Sequence, residues 1–400
     1  MPASRPPDEP VYLDHAAATP LNPDVAAAME AAATLAFGNP SSPHTAGRAA
    51  KRLLEDAREQ ILGTLGGRGA GAVRDRLVFT SGATEANRLG LLGLAGPANW
   101  RPEGGLVAVS TRDHSSLRAA AVELGGRGWQ VVELPLVGTG AVDFAPARSL
   151  PALPAPRILT TTTVCGQTGI RADVEEEAKL AGAGWLVHAD ATQGAAWDDL
   201  AFATGPWATL ALAPHKFGGP RGIGGLAVKG GVTLAAISPG PQELGLRGGT
   251  EAVALAAGFA RALQLAAADR AEAANRVATL RDRLEQGIVA SARTAGIDAV
   301  VVGADAPRAP HVALVALAGL DRQAVAMAAD LAGVCLATGT ACASGSTEPP
   351  AILAALGLPE SYRGGSVRLS LARTTTEADV EQAVASLAAV LNRLGPRPRT

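Results

Sequence analysis

Between residues 76 and 230, short apolar runs alternate with stretches of helical character. The runs have the length and composition of buried strands: RLVFT (76–80), LVAVS (106–110), WQVVELP (129–135), RILTTTT (157–163), WLVHAD (185–190), ATLALA (208–213) and GGLAVKG (224–230). Helices are predicted from Thr84, from His114 and over VEEEAKLA (174–181). Strands that alternate with helices predict an α/β fold in which a mainly parallel sheet is flanked by helices.

The pattern changes after about Glu251. A long alanine-rich segment at 251–292 predicts a bridging helix followed by the first helix of a second domain. The remaining chain mixes predicted strands with predicted helices from Asp321 and Thr376. We therefore expect a smaller α+β C-terminal domain.

Three regions follow from these two patterns. We expect a large domain at 21–258, a small C-terminal domain at 259–400, and an N-terminal arm at 1–20 that joins the small domain. The length of 400 residues, too long for one compact core, agrees with two domains.

Composition and charge exclude several classes of protein. With 48% hydrophobic and 18% charged residues, the chain has the composition of a globular protein. Its formal net charge of −2 implies no basic face, so we expect no nucleic-acid partner. No apolar run reaches the ~18 residues of a membrane helix, and the polar start lacks the apolar core of a signal peptide. We expect no membrane partner and a cytoplasmic location.

The chain has three cysteines, Cys165, Cys335 and Cys342, which do not make a disulfide framework. Reduced thiols in a cytosolic protein are the simplest interpretation. Cys342 lies in the loop ATGTACASGSTEPP (337–350), whose small polar residues favour the accessible thiol that thiolate chemistry needs. A passive buried cysteine is the alternative, and it fits Cys335, which has apolar neighbours on both sides, better.

Lysine is scarce in this chain. Only Lys51, Lys179, Lys216 and Lys229 occur among 35 lysines and arginines. Lys216 ends an apolar run and precedes a glycine-rich turn. A lysine amine can be deprotonated and form a Schiff base, which a guanidinium cannot. The position therefore indicates a nucleophilic amine, with chance as the alternative.

Other polar stretches follow predicted strands, where α/β sheets bind ligands. Asp190 either caps a helix or pairs with a buried cation, such as the pyridine nitrogen of pyridoxal phosphate (PLP). Residues 81–84 form an ordinary turn or a phosphate site at a helix start. His114 is an ordinary histidine, or a catalyst if an aromatic cofactor lies beside it. Arg368, inside an apolar strand, needs a partner, and a carboxylate is the obvious one.

Together and in this order, these residues resemble the cysteine desulfurases of the NifS/IscS type, which are class V aminotransferases with the fold-type I PLP architecture. Each motif alone is modest support, whereas their common order is strong support. The motifs extend almost from end to end: YLDHAAATP (12–20), GNPSSPHTAGR (38–48), TSGATEAN (80–87), HADATQ (188–193), HKFGGPRGIGG (215–225), LGLRGGTE (244–251), TACASGSTEP (340–349) and SVRLSLARTTTEADV (366–380).

The resemblance implies that the large domain binds PLP. Its cofactor-binding residues would be Ala83, Thr84, Asp190, Gln193, His215, Lys216 and Thr250. Lys216 would form the covalent bond, Asp190 would pair with the pyridine nitrogen and Gln193 would contact the phenolic oxygen. Ala83 and Thr84 would hold the phosphate from a helix start, and His215 would help. Thr250 would reach the phosphate in the partner subunit of a homodimer.

The resemblance also implies a reaction with L-cysteine as substrate. Arg368 would bind the substrate carboxylate, and His114 would stack on the cofactor ring and shuttle protons. Cys342 would take the sulfur as a persulfide and pass it to an acceptor protein or small molecule, while L-alanine leaves. No metal is implied.

The chain departs from the family pattern at two places. VCGQTG (164–169) stands where relatives usually have NNE-x-G, so Gly166 replaces the asparagine at the phenolic oxygen and Gln167 replaces the glutamate. Ala213 replaces a serine that usually binds the phosphate. A C–S β-lyase, a selenocysteine lyase, and a degenerate member acting as a partner in a sulfur-transfer assembly are therefore alternatives.

Overall fold

The computed structural model describes residues 9–69, 71, 73–96, 104–150, 156–339 and 349–396. Within these ranges the strands are β1 (Val11–Tyr12), β2 (Arg76–Thr80), β3 (Leu106–Ser110), β4 (Gln130–Leu134), β5 (Arg157–Thr162), β6 (Leu186–Asp190), β7 (Trp207–Leu212), β8 (Gly224–Val228), β9 (Ala299–Val301), β10 (Val312–Leu317), β11 (Val334–Cys335) and β12 (Ser366–Ser370).

The helices of the same ranges are α1 (Pro23–Leu35), α2 (Thr45–Thr64), α3 (Ala83–Ala95), α4 (Ser115–Gly125), α5 (Ala145–Arg148), α6 (Val174–Gly182), α7 (Val253–Ala268), α8 (Arg270–Thr294), α9 (Arg322–Leu331), α10 (Ala351–Ala355), α11 (Glu360–Arg363) and α12 (Glu377–Leu394). Short 3-10 helices lie at Pro214–Lys216 and Glu243–Gly245.

A seven-stranded sheet with the order β2-β8-β7-β6-β5-β3-β4 forms the centre of the molecule. Neighbouring strands are parallel except at β8, which is antiparallel to both β2 and β7. The link from β7 to β8 contains no α-helix, and antiparallel strands need no crossover helix. The predicted α/β fold with a mainly parallel sheet is confirmed.

The sheet is covered on both faces, and the alternation of side chains in β2 shows how. Leu77 and Phe79 are buried in a core that includes Leu54 of α2 and Phe259 of α7. Val78, which points the other way, is buried in a second core with residues of α3 and α4. Most strands of this sheet are buried on both faces, so their runs in the sequence are largely hydrophobic, whereas in the edge strand β4 only Leu134 is buried.

A second, antiparallel sheet has the order β12-β10-β9, and α8 packs against α12 and against β10. The start of the described chain also belongs here, because β1 pairs in parallel with β11 and Asp14 forms a bridge with Ser370. The three predicted regions stay predictions. A boundary after residue 258 would lie inside α7, which continues to Ala268 and packs on α1 and α2.

No helix in the described ranges has the combination of length and hydropathy that crossing a membrane requires. Over those same residues, no three histidine, cysteine, aspartate or glutamate side chains come together as a metal site would need.

Candidate active site

The predicted site residues cluster where the strands of the central sheet end. Strands β2, β5, β6 and β7 run in the same direction, since β8 reverses the chain between β2 and β7. Asp190, the last residue of β6, lies opposite Thr162 of β5 and Ala211 of β7. The carboxyl ends of parallel strands are the usual ligand-binding edge of such sheets.

Lys216 closes the 3-10 helix that follows β7, and its side chain is half-buried. Its Nζ donates hydrogen bonds of 2.8 Å to the carbonyl oxygens of Ala16 and Ala17. The Nε2 of Gln193 donates to the same oxygen of Ala16, also at 2.8 Å. The N-terminal segment therefore brings the amine and the amide together, although they come from different strand ends.

Asp190 is buried, with 3% of its surface exposed. Its Oδ2 accepts a hydrogen bond of 2.7 Å from Nδ2 of Asn87, and its Oδ1 accepts one of 2.9 Å from the backbone N–H of Thr192. The hydroxyl of Thr192 is buried without a hydrogen-bond partner. A carboxylate held by two donors at a strand end is suited to pair with a buried cation.

Helix α3 begins directly after β2 and presents Ala83 and Thr84 in its first turn. The N-cap residue is Gly82, which has no side chain to accept a hydrogen bond from the first N–H groups of the helix. A Cβ at Gly82 would meet no atom within 4 Å, whereas one at Gly224 would lie 2.5 Å from the carbonyl carbon of Gly82. The start of β8 thus supports the turn closely from behind, while the space at the Gly82 side chain stays open for an anion.

His215 precedes the lysine and is half-buried. Burial first, and then the charges of Lys216 and Arg221, lower the pKa of His215 to about 4. The imidazole is therefore neutral near pH 7 and has one ring N–H to donate.

His114 lies at the N-cap of α4 and is exposed. Its Nδ1 accepts from the backbone N–H of Ser116 at 3.2 Å and lies 2.8 Å from the hydroxyl of Ser116. That hydroxyl also accepts from Nδ2 of Asn87 at 2.9 Å, the same amide that holds Asp190. The structure therefore links two predicted site residues through Asn87, which sequence reasoning missed.

Arg368 lies in β12 and is 3% exposed. Its Nη2 pairs with Oδ1 of Asp14 at 2.8 Å, its Nη1 donates to the carbonyl oxygen of Gly166 at 3.0 Å, and its Nε is buried without a partner. The expected carboxylate partner is thus Asp14, in the N-terminal segment. The predicted contact of Arg368 with a substrate carboxylate stays a prediction.

The last two predicted residues are Thr250 and Cys342. Thr250 is exposed, three residues after Arg247, whose Nε pairs with Oε1 of Glu85 in the first turn of α3 at 3.0 Å. Its predicted role across a dimer interface stays a prediction. Cys342 lies outside the described residues, and its predicted role is likewise carried forward.

The two departures from the family pattern also have a place in the structure. A Cβ on Gly166 would lie 3.4 Å from Cγ and Nε2 of Gln193, an ordinary van der Waals distance. The Oε1 of Gln167 is buried without a partner. Ala213, which precedes the 3-10 helix, is fully buried.

The groups at this edge fit PLP by their chemistry. The uncapped start of α3 suits a phosphate, the buried carboxylate of Asp190 suits a pyridinium nitrogen, and Lys216 supplies an amine for an aldehyde. Gln193, whose Oε1 lies 3.1 Å from Nε2 of His311, adds a fixed amide between them.

Solved structures identify the class of fold. The chain is similar to a NifS-like protein from Rickettsia africae with a TM-score of 0.80 and 24% identity, covering 96% of this chain and 99% of that one. This molecule therefore has the fold of NifS-like proteins.

Sequence comparison identifies the family. The family model described as aminotransferase class-V matches residues 11–383, so the chain belongs to the class-V aminotransferase family. A cysteine desulfurase from Cereibacter sphaeroides is 34% identical over 391 residues, which cover 96% of this chain and 97% of that protein. An IscS-like cysteine desulfurase from Mycobacterium tuberculosis is 34% identical over 393 residues, covering 96% of each. The predicted family is confirmed.

Proposed function

We propose that this protein is a PLP-dependent cysteine desulfurase, which converts L-cysteine to L-alanine and places the sulfur on Cys342 as a persulfide for an acceptor protein or small molecule. The observation that carries the proposal is the convergence of Lys216 and Gln193 on the carbonyl oxygen of Ala16, at the sheet edge where Asp190 ends β6. Relatives named cysteine desulfurase align over nearly the whole chain, which supports the substrate.

Three parts of the chain would hold the pyridine nitrogen and the phosphate of the cofactor. Asp190 would bind the pyridine nitrogen, the first turn of α3 with Ala83 and Thr84 would bind the phosphate, and His215 would donate to it from its neutral ring. When bound, PLP supplies an aldehyde for an amino group and a ring that withdraws electrons from the substrate Cα.

The side chains around that position then have separate tasks. Arg368 binds the substrate carboxylate with the edge of the guanidinium that carries the unpartnered Nε. The amine of Lys216 would take the proton from the substrate Cα and return it as L-alanine forms. Both the carbonyl oxygens of Ala16 and Ala17 orient that amine, because each accepts one of its hydrogens. His114 exchanges protons with the bound substrate.

The sulfur step needs no external oxidant. The thiolate of Cys342 attacks Sγ of the substrate, a sulfur–sulfur bond forms, and the Cβ–Sγ bond breaks. Its electron pair stays on Cβ, which takes a proton and becomes the methyl group of alanine. One L-cysteine and one thiol thus give one L-alanine and one persulfide, with all atoms balanced.

We also infer a homodimer in which Thr250 contacts the phosphate bound by the partner subunit. The exposed position of Thr250, close in sequence to the Arg247–Glu85 ion pair at the phosphate-binding helix, supports it. Sedimentation should show a species near twice the chain mass, and a monomer at micromolar concentration would contradict the inference.

The products of L-cysteine distinguish this function from its alternatives. Protein loaded with PLP should form alanine without pyruvate, and Lys216→Ala should form neither. Lys229→Ala is the matched control, because Lys229 is also a half-buried lysine at the end of a strand, and it should keep the activity. Formation of pyruvate, with one sulfide released for each pyruvate, would instead identify a C–S β-lyase. If fully loaded protein forms no product, the protein is a degenerate member of the family.

A further inference from the structure

Asn87 of α3 is completely buried, and its amide contacts three polar side chains from two other elements, β6 and α4. Its Nδ2 donates to Oδ2 of Asp190 at 2.7 Å and to Oγ of Ser116 at 2.9 Å. Its Oδ1 lies 3.1 Å from Nε2 of His188. Both N–H donors and the carbonyl oxygen of this amide are therefore in use at the edge of the proposed cofactor site.

The chemistry of these groups fixes the direction of each hydrogen bond. A carboxylate only accepts, so the NH2 group of Asn87 must face Asp190, and its oxygen must face His188. The Nε2 of His188 consequently carries a hydrogen. Burial lowers the pKa of His188 to about 4, so the ring is neutral and its Nδ1 accepts from the hydroxyl of Thr209, 2.8 Å away.

The hydrogen bonds of Asn87 also extend through Ser116 to His114. Because the hydroxyl of Ser116 accepts from Asn87, its own hydrogen is available for Nδ1 of His114, at 2.8 Å. The backbone N–H of Ser116 donates to the same atom at 3.2 Å. Two donors on Nδ1 place the ring hydrogen of neutral His114 on Nε2.

A glycine allows α3 to lie this close to β6. A Cβ at Gly90, three residues after Asn87 and on the same face of the helix, would lie 2.3 Å from Cε1 and 2.4 Å from Nδ1 of His188. No side chain fits there, so position 90 permits the approach that brings Asn87 within hydrogen-bond distance of His188.

We propose that Asn87 is a positioning residue that joins Asp190 to His114 through one directional chain of hydrogen bonds, fixing the orientation of the carboxylate and, through Ser116, the tautomer of the imidazole. The catalytic meaning of this inference rests on the proposed function, in which Asp190 holds the cofactor nitrogen and His114 exchanges protons. With Nε2–H fixed, Nε2 is the atom of His114 that presents a proton to the substrate.

The test uses PLP-loaded protein labelled with 15N in its histidines, so that long-range 1H–15N spectra report the tautomers. The His114 signals are assigned with His114→Gln. Wild-type protein should show the Nε2–H form of His114, whereas Asn87→Ala and Ser116→Ala should show a mixture of tautomers. Asn275→Ala, at an exposed asparagine of α8, is the matched control and should keep the wild-type spectrum.

Kinetics give a second readout. A hydrogen bond to a charged group corresponds to about a tenfold to hundredfold change in rate, so kcat of Asn87→Ala should fall by about that factor. The KM for L-cysteine should change by less than about threefold, since Asn87 does not contact the substrate carboxylate site. If Asn87 had only a structural role, its replacement would lower the amount of folded protein, and the remaining folded protein would keep its kcat.

Several results would overturn the proposal. An Nδ1–H form of His114 in wild-type protein would contradict it, as would an unchanged tautomer in both Asn87→Ala and Ser116→Ala. If Asn87→Ala does not fold, Ser116→Ala decides, because Ser116 is only half-buried. The spectra test the hydrogen bonds without catalysis, so a wild-type protein that forms no alanine would overturn the proposed function separately.

Discussion

Replacing Glu177 by glutamine should stabilise the protein increasingly as the pH rises from 5.5 to 8. Glu177 of α6 is fully buried, its Oε1 accepts from Oγ1 of Thr161 at 2.6 Å, and its Oε2 accepts from Nε1 of Trp207 at 2.9 Å. A glutamine can keep both contacts, since its oxygen accepts from the indole N–H and its amide donates to the hydroxyl.

The magnitude follows from the pKa of this carboxyl. Burial raises the pKa of Glu177 from 4.5 to about 7, although the hydrogen bonds from Thr161 and Trp207 act in the opposite direction. A raised pKa means that stability is full below 4.5 and is lost as the pH rises towards 7, because the unfolded chain ionises first. Between pH 5.5 and 8 this linkage amounts to about 2 kcal/mol.

Thermal unfolding of the loaded protein at pH 5.5 and pH 8 measures the effect. At about 2 cal/mol/K per residue over the whole chain, 2 kcal/mol corresponds to about 2–3 °C in Tm. Glu175→Gln is the matched control, because it is the same replacement in the same first turn of α6 at a glutamate that is exposed and not buried. If the Tm advantage of Glu177→Gln over Glu175→Gln is the same at both pH values, the reasoning is wrong.

Three further predictions concern the site. Arg368→Lys should raise the KM for L-cysteine about tenfold or more, because an ammonium lacks the planar fork that binds a carboxylate; an unchanged KM in steady-state kinetics would contradict the role. Cys342→Ala should still bind PLP and L-cysteine but form no persulfide, whereas the control Cys335→Ala, in β11, should form it. If mass spectrometry finds a persulfide on Cys342→Ala, then Cys342 is not the sulfur acceptor. Gly166→Asn should raise the pH midpoint of the cofactor absorbance by up to about 1–2 units, because its amide adds a donor beside Gln193 and its Cβ fits at 3.4 Å; an unchanged spectral titration would show that another donor already occupies that position.

Much of the fold could be predicted because the strands of the central sheet, apart from the edge strand β4, are buried on both faces. The run LVAVS, for example, corresponds to β3 residue for residue. The antiparallel direction of β8 could not be predicted, since the residues of an apolar run do not indicate whether the strand is parallel or antiparallel to its neighbours. Helix α2 was not predicted, although Ala50, Leu54, Ala57 and Ile61 follow a 4-3-4 spacing and are all buried.

The site divides in a similar way. Lys216 and Asp190 could be selected from the sequence because each is an ionisable residue at the end of an apolar run. The pairing of Arg368 with Asp14 joins residues at opposite ends of the chain, and no local pattern indicates it. Asn87 gave one usable signal, because it is a polar residue one helical turn after Ala83 on a helix that is apolar from Leu89 onward. Its partners depend on how α3 lies over the sheet.

A single turnover with 34S-labelled L-cysteine tests the proposed function most directly. Protein loaded with PLP is mixed with one equivalent of substrate, alkylated, digested and analysed by mass spectrometry, while the amino acids are quantified. The account predicts one labelled persulfide on Cys342 for each alanine formed, and no pyruvate. Pyruvate with free labelled sulfide, or alanine with the label on another cysteine, would contradict it.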